Sequence, residues 1–163
     1  MPDPIVIVEY DAAWPDEFER LRARAGAALG EKALAIEHIG STSVPGLAAK
    51  PIVDLVVVVD SDDVDAAIER LSGLGYVHRG NLGVAGREAF DVPAGERVHH
   101  LYVSPLDSEE LRAQLTFRDR LRTDPELAAR YETLKRALAV TFRNDRPGYT
   151  DAKTDFVTTH SRP

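Results

Sequence analysis

The sequence predicts an α/β fold of the α+β type: a mixed β-sheet with flanking helices, followed by a helical C-terminal segment. Three observations predict it. The run Ile52–Val59 is apolar on both faces, as a central strand covered on each side must be. Short β-branched runs alternate with helical stretches as far as residue 104. From there to the end, apolar residues recur at helical spacing.

The elements follow in order. Ile5–Val8 is short and β-branched, a strand or an extended lead-in. After Trp14-Pro15, the spacing of Phe18, Leu21, Ala25 and Leu29 predicts a helix that Gly30 stops. Ala33–Ile39 reads as a strand, and residues 40–50 as a loop of small residues. After the Ile52–Val59 strand, Ser61 or Asp62 caps a helix carrying Val64, Ala67, Ile68 and Leu71. Tyr76–Arg79, Arg87–Val92 and Arg97–Val103 are further strands, separated by Gly- and Pro-containing turns. Asp107 with Glu110 resembles a capping box and opens a helix. Asp124-Pro125 opens the next, with Pro147-Gly148 at its end and Thr150 capping a last one.

The 163 residues carry 20 Lys plus Arg against 27 Asp plus Glu, a net charge of −7. That balance argues against double-stranded nucleic acid as a partner, which needs a basic face. It leaves room for a small phosphorylated ligand, which needs only a few local cations. The absence of cysteine excludes a disulfide scaffold, a Cys-ligated zinc and a thiol nucleophile. The longest strongly apolar run, Leu55–Val59, is too short to span a bilayer, and the N-terminus does not read as a secretory signal. The expectation is one cytoplasmic domain over 1–163, with a sheet-containing core (1–104), a helical part (105–163) packed on it, and no membrane partner.

Asp54 is the strongest clue to chemistry. A lone carboxylate among Ile and Val is costly to bury unless something pairs with it. It is either the partner of Lys50 or of an Arg on another strand, or a metal ligand or base at the lip of the sheet. The loop ahead of it bears on that choice. Gly40-Ser41 comes directly off a strand and lets backbone N–H groups approach a phosphate, with Ser41, Thr42 and Ser43 adding hydroxyls and Lys50 a cation.

Strand, Gly-Ser, a twelve-residue spacer and Asp on a second strand resemble the signature of the nucleotidyltransferase superfamily. The resemblance tightens over His38-Ile-Gly-Ser-Thr-Ser-Val-Pro-Gly-Leu47, Ala49-Lys-Pro-Ile-Val-Asp54, Gly86-Arg87, Arg97 with His99-His100-Leu101, Phe117-Arg-Asp119, Tyr131 with Leu134-Lys135, and Tyr149-Thr150 with Lys153. On these residues the chain is similar to the GrpB family, and the match spans nearly its whole length. A similar domain is found fused behind dephospho-coenzyme A kinase. Here no P-loop is present, so the domain is expected to stand alone.

The resemblance implies a nucleotidyltransferase-like sheet and a Mg²⁺-dependent transfer of a nucleotidyl group from a nucleoside triphosphate to a small acceptor. The alternative is a non-catalytic module of the same fold that binds a nucleotide or a coenzyme A-like phosphorylated ligand. Asp54 would ligate the metal, and His100 would contact the acceptor or act as a base. Gly40, Ser41, Thr42, Ser43, Lys50, Arg87, Arg118, Arg122, Lys135 and Lys153 would bind phosphates. One departure matters. Residues 54 and 56 share a strand face, a two-metal transferase carries carboxylates at both, and position 56 here is Val. Glu37, Glu88 and Asp91 are the candidate substitutes. His38, just before the loop, could bind phosphate or orient Asp54.

Overall fold

The computed structural model describes residues 3–162. It contains a five-stranded mixed sheet, formed by β1 (Ala35–Ile39), β2 (Val53–Val59), β3 (Val77–His78), β4 (Glu88–Asp91) and β5 (His99–Pro105), in the order β1-β2-β5-β4-β3. β2 pairs in parallel with β5; the other pairings are antiparallel. The helices are α1 (Trp14–Leu29), α2 (Val64–Ser72), α3 (Glu109–Thr123), α4 (Pro125–Thr141) and α5 (Arg146–His160).

Alternation along β2 and β5 divides the molecule into two layers. Leu55, Val57, Val59, Leu101 and Val103 pack against Trp14, Phe18, Leu21, Ala25 and Leu29 of α1 and Ala67 and Leu71 of α2. Val56 and Val58 face the other way, toward Leu111 and Leu115 of α3. β2 is thus buried on both sides, which is why it carries no polar alternation. A second apolar cluster ties the loop after β1, through Val44 and Leu47, to Leu121, Leu127, Tyr131, Phe117 and Phe156 of the three C-terminal helices. This cluster holds α3–α5 over one end of the sheet.

Several boundaries differ from the sequence reading, each for a local reason. Ile5–Val8 forms no strand; only Val8 bridges to Ala49, and Ile5 donates to the Arg143 carbonyl. The cap of α3 is Ser108, not Asp107: its hydroxyl accepts from the Leu111 N–H and donates to the Gly86 carbonyl. α4 ends at Thr141, and Pro147-Gly148 lies in the first turn of α5 under an Asp145 cap. Proline is tolerated there because first-turn N–H groups have no partner within the helix. Among the described residues no helix is long and apolar enough to cross a membrane.

Ser108 joins the α3 cap to the loop carrying Arg87. Ser108→Ala is expected to lower the unfolding free energy by about 1–2 kcal/mol, read from urea denaturation; an unchanged midpoint would show that neither bond matters.

Candidate functional site

The parallel register sets Asp54 beside His100, and the antiparallel register sets Ile39 beside Asp54. Asp54 therefore stands between the end of β1 and the start of β5. His100 Nδ1 lies 2.5 Å from Asp54 Oδ1. The second oxygen, Oδ2, sits against Gly40, where a Cβ would collide with it. Gly40 also has φ +74°, a conformation that glycine adopts without strain. Asp54 is neither sealed nor paired with Lys50; His100 is its partner, and the pair borders open space.

That space is a cavity of about 620 Å³ between the sheet end and helices α3–α5. Gly40, Ser41, Thr42, Lys50, Asp54, Arg87, His100, Arg118, Lys135 and Lys153 line it, so the structure brings together ten of the twelve site residues named from the sequence. Ser43 and Arg122 are not in the lining. The Ser43 hydroxyl donates to the Gly40 carbonyl, and Arg122 Nε donates to the Ser43 carbonyl at 2.9 Å. Arg118 reaches the cavity wall, but its guanidinium is held by Glu37 at 2.7 Å, Asp119 at 2.9 Å and the His38 carbonyl at 3.1 Å. The two arginines one helical turn apart thus brace the turn after β1. α3 crosses directly over that turn, so its guanidinium groups meet carbonyl oxygens there.

His38 points to the opposite face, stacked on Phe18 with ring centres 4.7 Å apart, and hydrogen-bonds Thr42 Oγ1 at 2.9 Å. It orients Thr42 and does not reach Asp54. Burial lowers its pKa to about 4, so the ring is neutral near pH 7.

The substitutes for a second carboxylate do not converge. Glu37, opposite Val56 across the strand pair, is held by Arg118; Glu88 pairs with His78 at 2.7 Å, and Asp91 with Arg79 at 3.7 Å. The carboxylate that does join Asp54 in the lining is Glu110, on which Gln114 Nε2 donates at 3.2 Å. The sequence carried a signal for it. Residues 110, 114, 117, 118 and 121 form one helical face, but Asp107-x-x-Glu110 reads as a cap. Among the described residues no group of three His, Cys, Asp or Glu converges as a metal site. The donors among the described residues therefore do not by themselves build a two-ion centre. Asp54 is the carboxylate that would be available to a single divalent ion, of the kind commonly held by one or two carboxylates.

Cations dominate the rest of the wall. Lys135 is 1% exposed and donates to the Ala48 carbonyl at 2.7 Å. Burial, then the nearby charges of Lys153 and Lys50, brings its pKa down to about 7 despite Glu132. Burial, then Lys50, brings Lys153 down to about 8, against the pull of Asp54. Burial also lowers Lys50, again opposed by Asp54. Arg87 lies 4.7 Å from the ring centre of Tyr102 on β5.

The comparisons with known proteins agree with this architecture. The protein family described as GrpB protein matches residues 4–162. UPF0157 protein YqkA of Bacillus subtilis is 33% identical over 156 residues, covering 95% of this chain and 46% of that protein, so the chain spans less than half of that relative's length. The crystal structure of conserved protein GrpB from Enterococcus faecalis superposes with a TM-score of 0.85 at 35% identity, covering 96% of this chain and 94% of that one. The Cid1 poly(U) polymerase superposes with a TM-score of 0.52 at 13% identity over 82% of this chain and 42% of that one. That last likeness shows a nucleotidyltransferase-type fold and nothing finer.

Two predictions follow from the site's geometry and charge. Gly40→Ala forces a strained backbone and pushes Asp54 away; a loss of about 2 kcal/mol or more in denaturant unfolding is expected, and an unchanged midpoint would show that the carboxylate does not rest on the turn. The lowered lysine values give the second. An amine whose pKa falls on folding destabilises the native state fully below its folded value, and the penalty disappears as pH rises toward the ordinary lysine value. The melting temperature of the free protein should therefore rise with pH between about 7 and 10.5, the window set by Lys135 and Lys153. Lys153→Met should flatten that rise in a thermal scan; an equally steep rise in the variant would contradict the assignment.

Proposed function

Because the chain belongs to the GrpB family, and because its cavity opens beside the Gly40-Ser41 turn, we propose that it binds the phosphates of a nucleotide, or of a similar phosphorylated ligand such as coenzyme A, in that cavity. One observation carries the reading. In a chain of net charge −7, the cavity is lined by five cationic side chains that have no ion-pair partner among the described residues (Lys50, Arg87, Lys135, Lys153 and Arg162), by Arg118, which Glu37 and Asp119 neutralise, and by only two carboxylates, Asp54 and Glu110. Such a concentration inside an acidic protein focuses field on an anion. Ser41 and Thr42 add hydroxyl donors, and Phe117, Tyr131 and Val157 supply an apolar wall for a base or a sugar. A nucleotide ligand implies a cytoplasmic role.

A second reading, Mg²⁺-dependent nucleotidyl transfer to a small acceptor, is favoured by the Asp54–His100 contact. Asp54 would hold the ion, which would polarise the phosphoryl group undergoing attack. Asp54 fixes His100 through Nδ1 and leaves Nε2 as the ring nitrogen able to accept the acceptor's proton. Lys50 and Arg87 would neutralise charge on the phosphates.

Thermal shifts with ATP, GTP, CTP, UTP and coenzyme A, each with and without Mg²⁺, test the first reading. At least one ligand should raise the melting temperature, since saturation at 100 Kd stabilises by about 2.7 kcal/mol; no shift with any of them would sink it. Pyrophosphate release tests the second. Turnover that Asp54→Asn lowers by about 100-fold or more, with nucleotide still bound, supports transfer. Bound nucleotide without pyrophosphate release under any condition leaves a binding module.

A further inference from the structure

We propose that Lys50, Lys135 and Lys153 form a seat for a condensed phosphate, a pyrophosphate or triphosphate group, that is filled without any divalent ion. The inference rests on the phosphorylated-ligand reading of the same cavity and goes beyond it by naming what neutralises the phosphates.

The three lysines come from the loop before β2, from α4 and from α5, and all line the cavity. Lys50 Nζ lies 5.0 Å and Lys153 Nζ 4.8 Å from the centre of the Tyr149 ring. Lys135 Nζ lies 4.9 Å from the centre of the Tyr131 ring. Among the described residues none of the three enters an ion pair, although twelve such contacts occur elsewhere. Three ammonium groups are thus gathered with aromatic faces and one carbonyl as their company. Aromatic faces offset only part of the cost of taking an ammonium out of water. The charges facing the group are mixed. Asp54 attracts Lys50 and Lys153, and Glu132 attracts Lys135, while Arg136 and Arg146 add repulsion from α4 and α5.

A second observation points to a ligand. Tyr149 lines the cavity, is fully buried, and its hydroxyl has no hydrogen-bond partner. Burial raises its pKa to about 12, so it remains a donor. Lys135 uses one of its three N–H bonds on Ala48, leaving two. Three lysine ammonium groups bring more positive charge than a single phosphate, with at most about two negative charges, would balance. A condensed phosphate brings more acceptor oxygens and more charge over a longer span. Fixed ammonium groups so placed do the neutralising that a second metal ion would otherwise do, on a chain that lacks the carboxylate for that ion at position 56.

The test is calorimetric titration of the full chain with inorganic pyrophosphate and tripolyphosphate, in EDTA and again in Mg²⁺. Binding in EDTA is expected, weakened about tenfold or more by Lys50→Met and by Lys153→Met. Titrations at pH 8 in two buffers of different ionisation heat should show proton uptake that is smaller in Lys153→Met. Lys153→Met should melt no lower than the natural sequence at neutral pH, because it removes a repulsive charge. A weakened affinity is then not a folding defect. Pyrophosphate binding that requires Mg²⁺, or that both variants leave unchanged, would overturn the seat. If ATP with Mg²⁺ binds while pyrophosphate in EDTA does not, the seat fails and the nucleotide reading stands. If neither binds under any condition, both fail.

Discussion

The contact between Asp54 and the bare backbone of Gly40 organises this molecule. One oxygen of the carboxylate rests against the glycine and the other meets His100. Any side chain at position 40 would occupy the oxygen's place, so turn and strand can close on each other only with glycine there. The parallel register of β2 and β5 then determines which residue of β5 faces Asp54. The helical half of the chain is anchored on the same turn, through the contacts of Arg118 and Arg122 with the carbonyls of His38 and Ser43. The arginines therefore serve the shape of the loop rather than a ligand directly.

Charge is distributed against the average of the chain. The protein is acidic, yet its cavity is cationic, and of the six lining cations only Arg118 has a carboxylate partner within salt-bridge distance among the described residues. Buried amines of this kind make a protein less stable than an apolar core would. The arrangement fits a site whose stability is completed by what it binds, because an anion that prefers the native state adds its binding free energy to folding. Lys135 and Glu132, three residues apart on α4, also grip Ala48 by its carbonyl and its N–H. The segment leading to Lys50 is thereby held in place.

The chain belongs to the GrpB family, and the side chains at its candidate site differ from those of a two-ion transferase in a specific way. Val56 occupies the position where a second carboxylate would stand, and it is fully buried against α3. Its cross-strand neighbour Glu37 is neutralised by Arg118. Acidic residues that could have compensated lie in ion pairs elsewhere, and Glu110 arrives from a helix instead. The face that would hold a second ion in such a transferase is here packed with hydrocarbon and closed by an ion pair.

Local pattern alone determined much of this protein. The two-sided burial of Ile52–Val59, the helix beginning at Trp14, the Asp124-Pro125 start and the prominence of Asp54 are legible because hydrophobic period and capping chemistry act over a few residues. The Gly40-Ser41 turn and Lys50 are legible from small residues placed directly after a strand, and the cavity's other cations through the family resemblance. What the linear sequence left open depended on contacts between distant segments. Whether Asp54 pairs with Lys50 or His100 is decided by strand register, 46 residues apart. Whether Arg118 and Arg122 meet a ligand or the turn's own carbonyls is decided by how α3 crosses the sheet. Glu110 reads as the partner of an Asp107 cap, whereas the hydroxyl that accepts from the Leu111 N–H is that of Ser108. Periodicity says which face a side chain occupies; only packing says what stands opposite it.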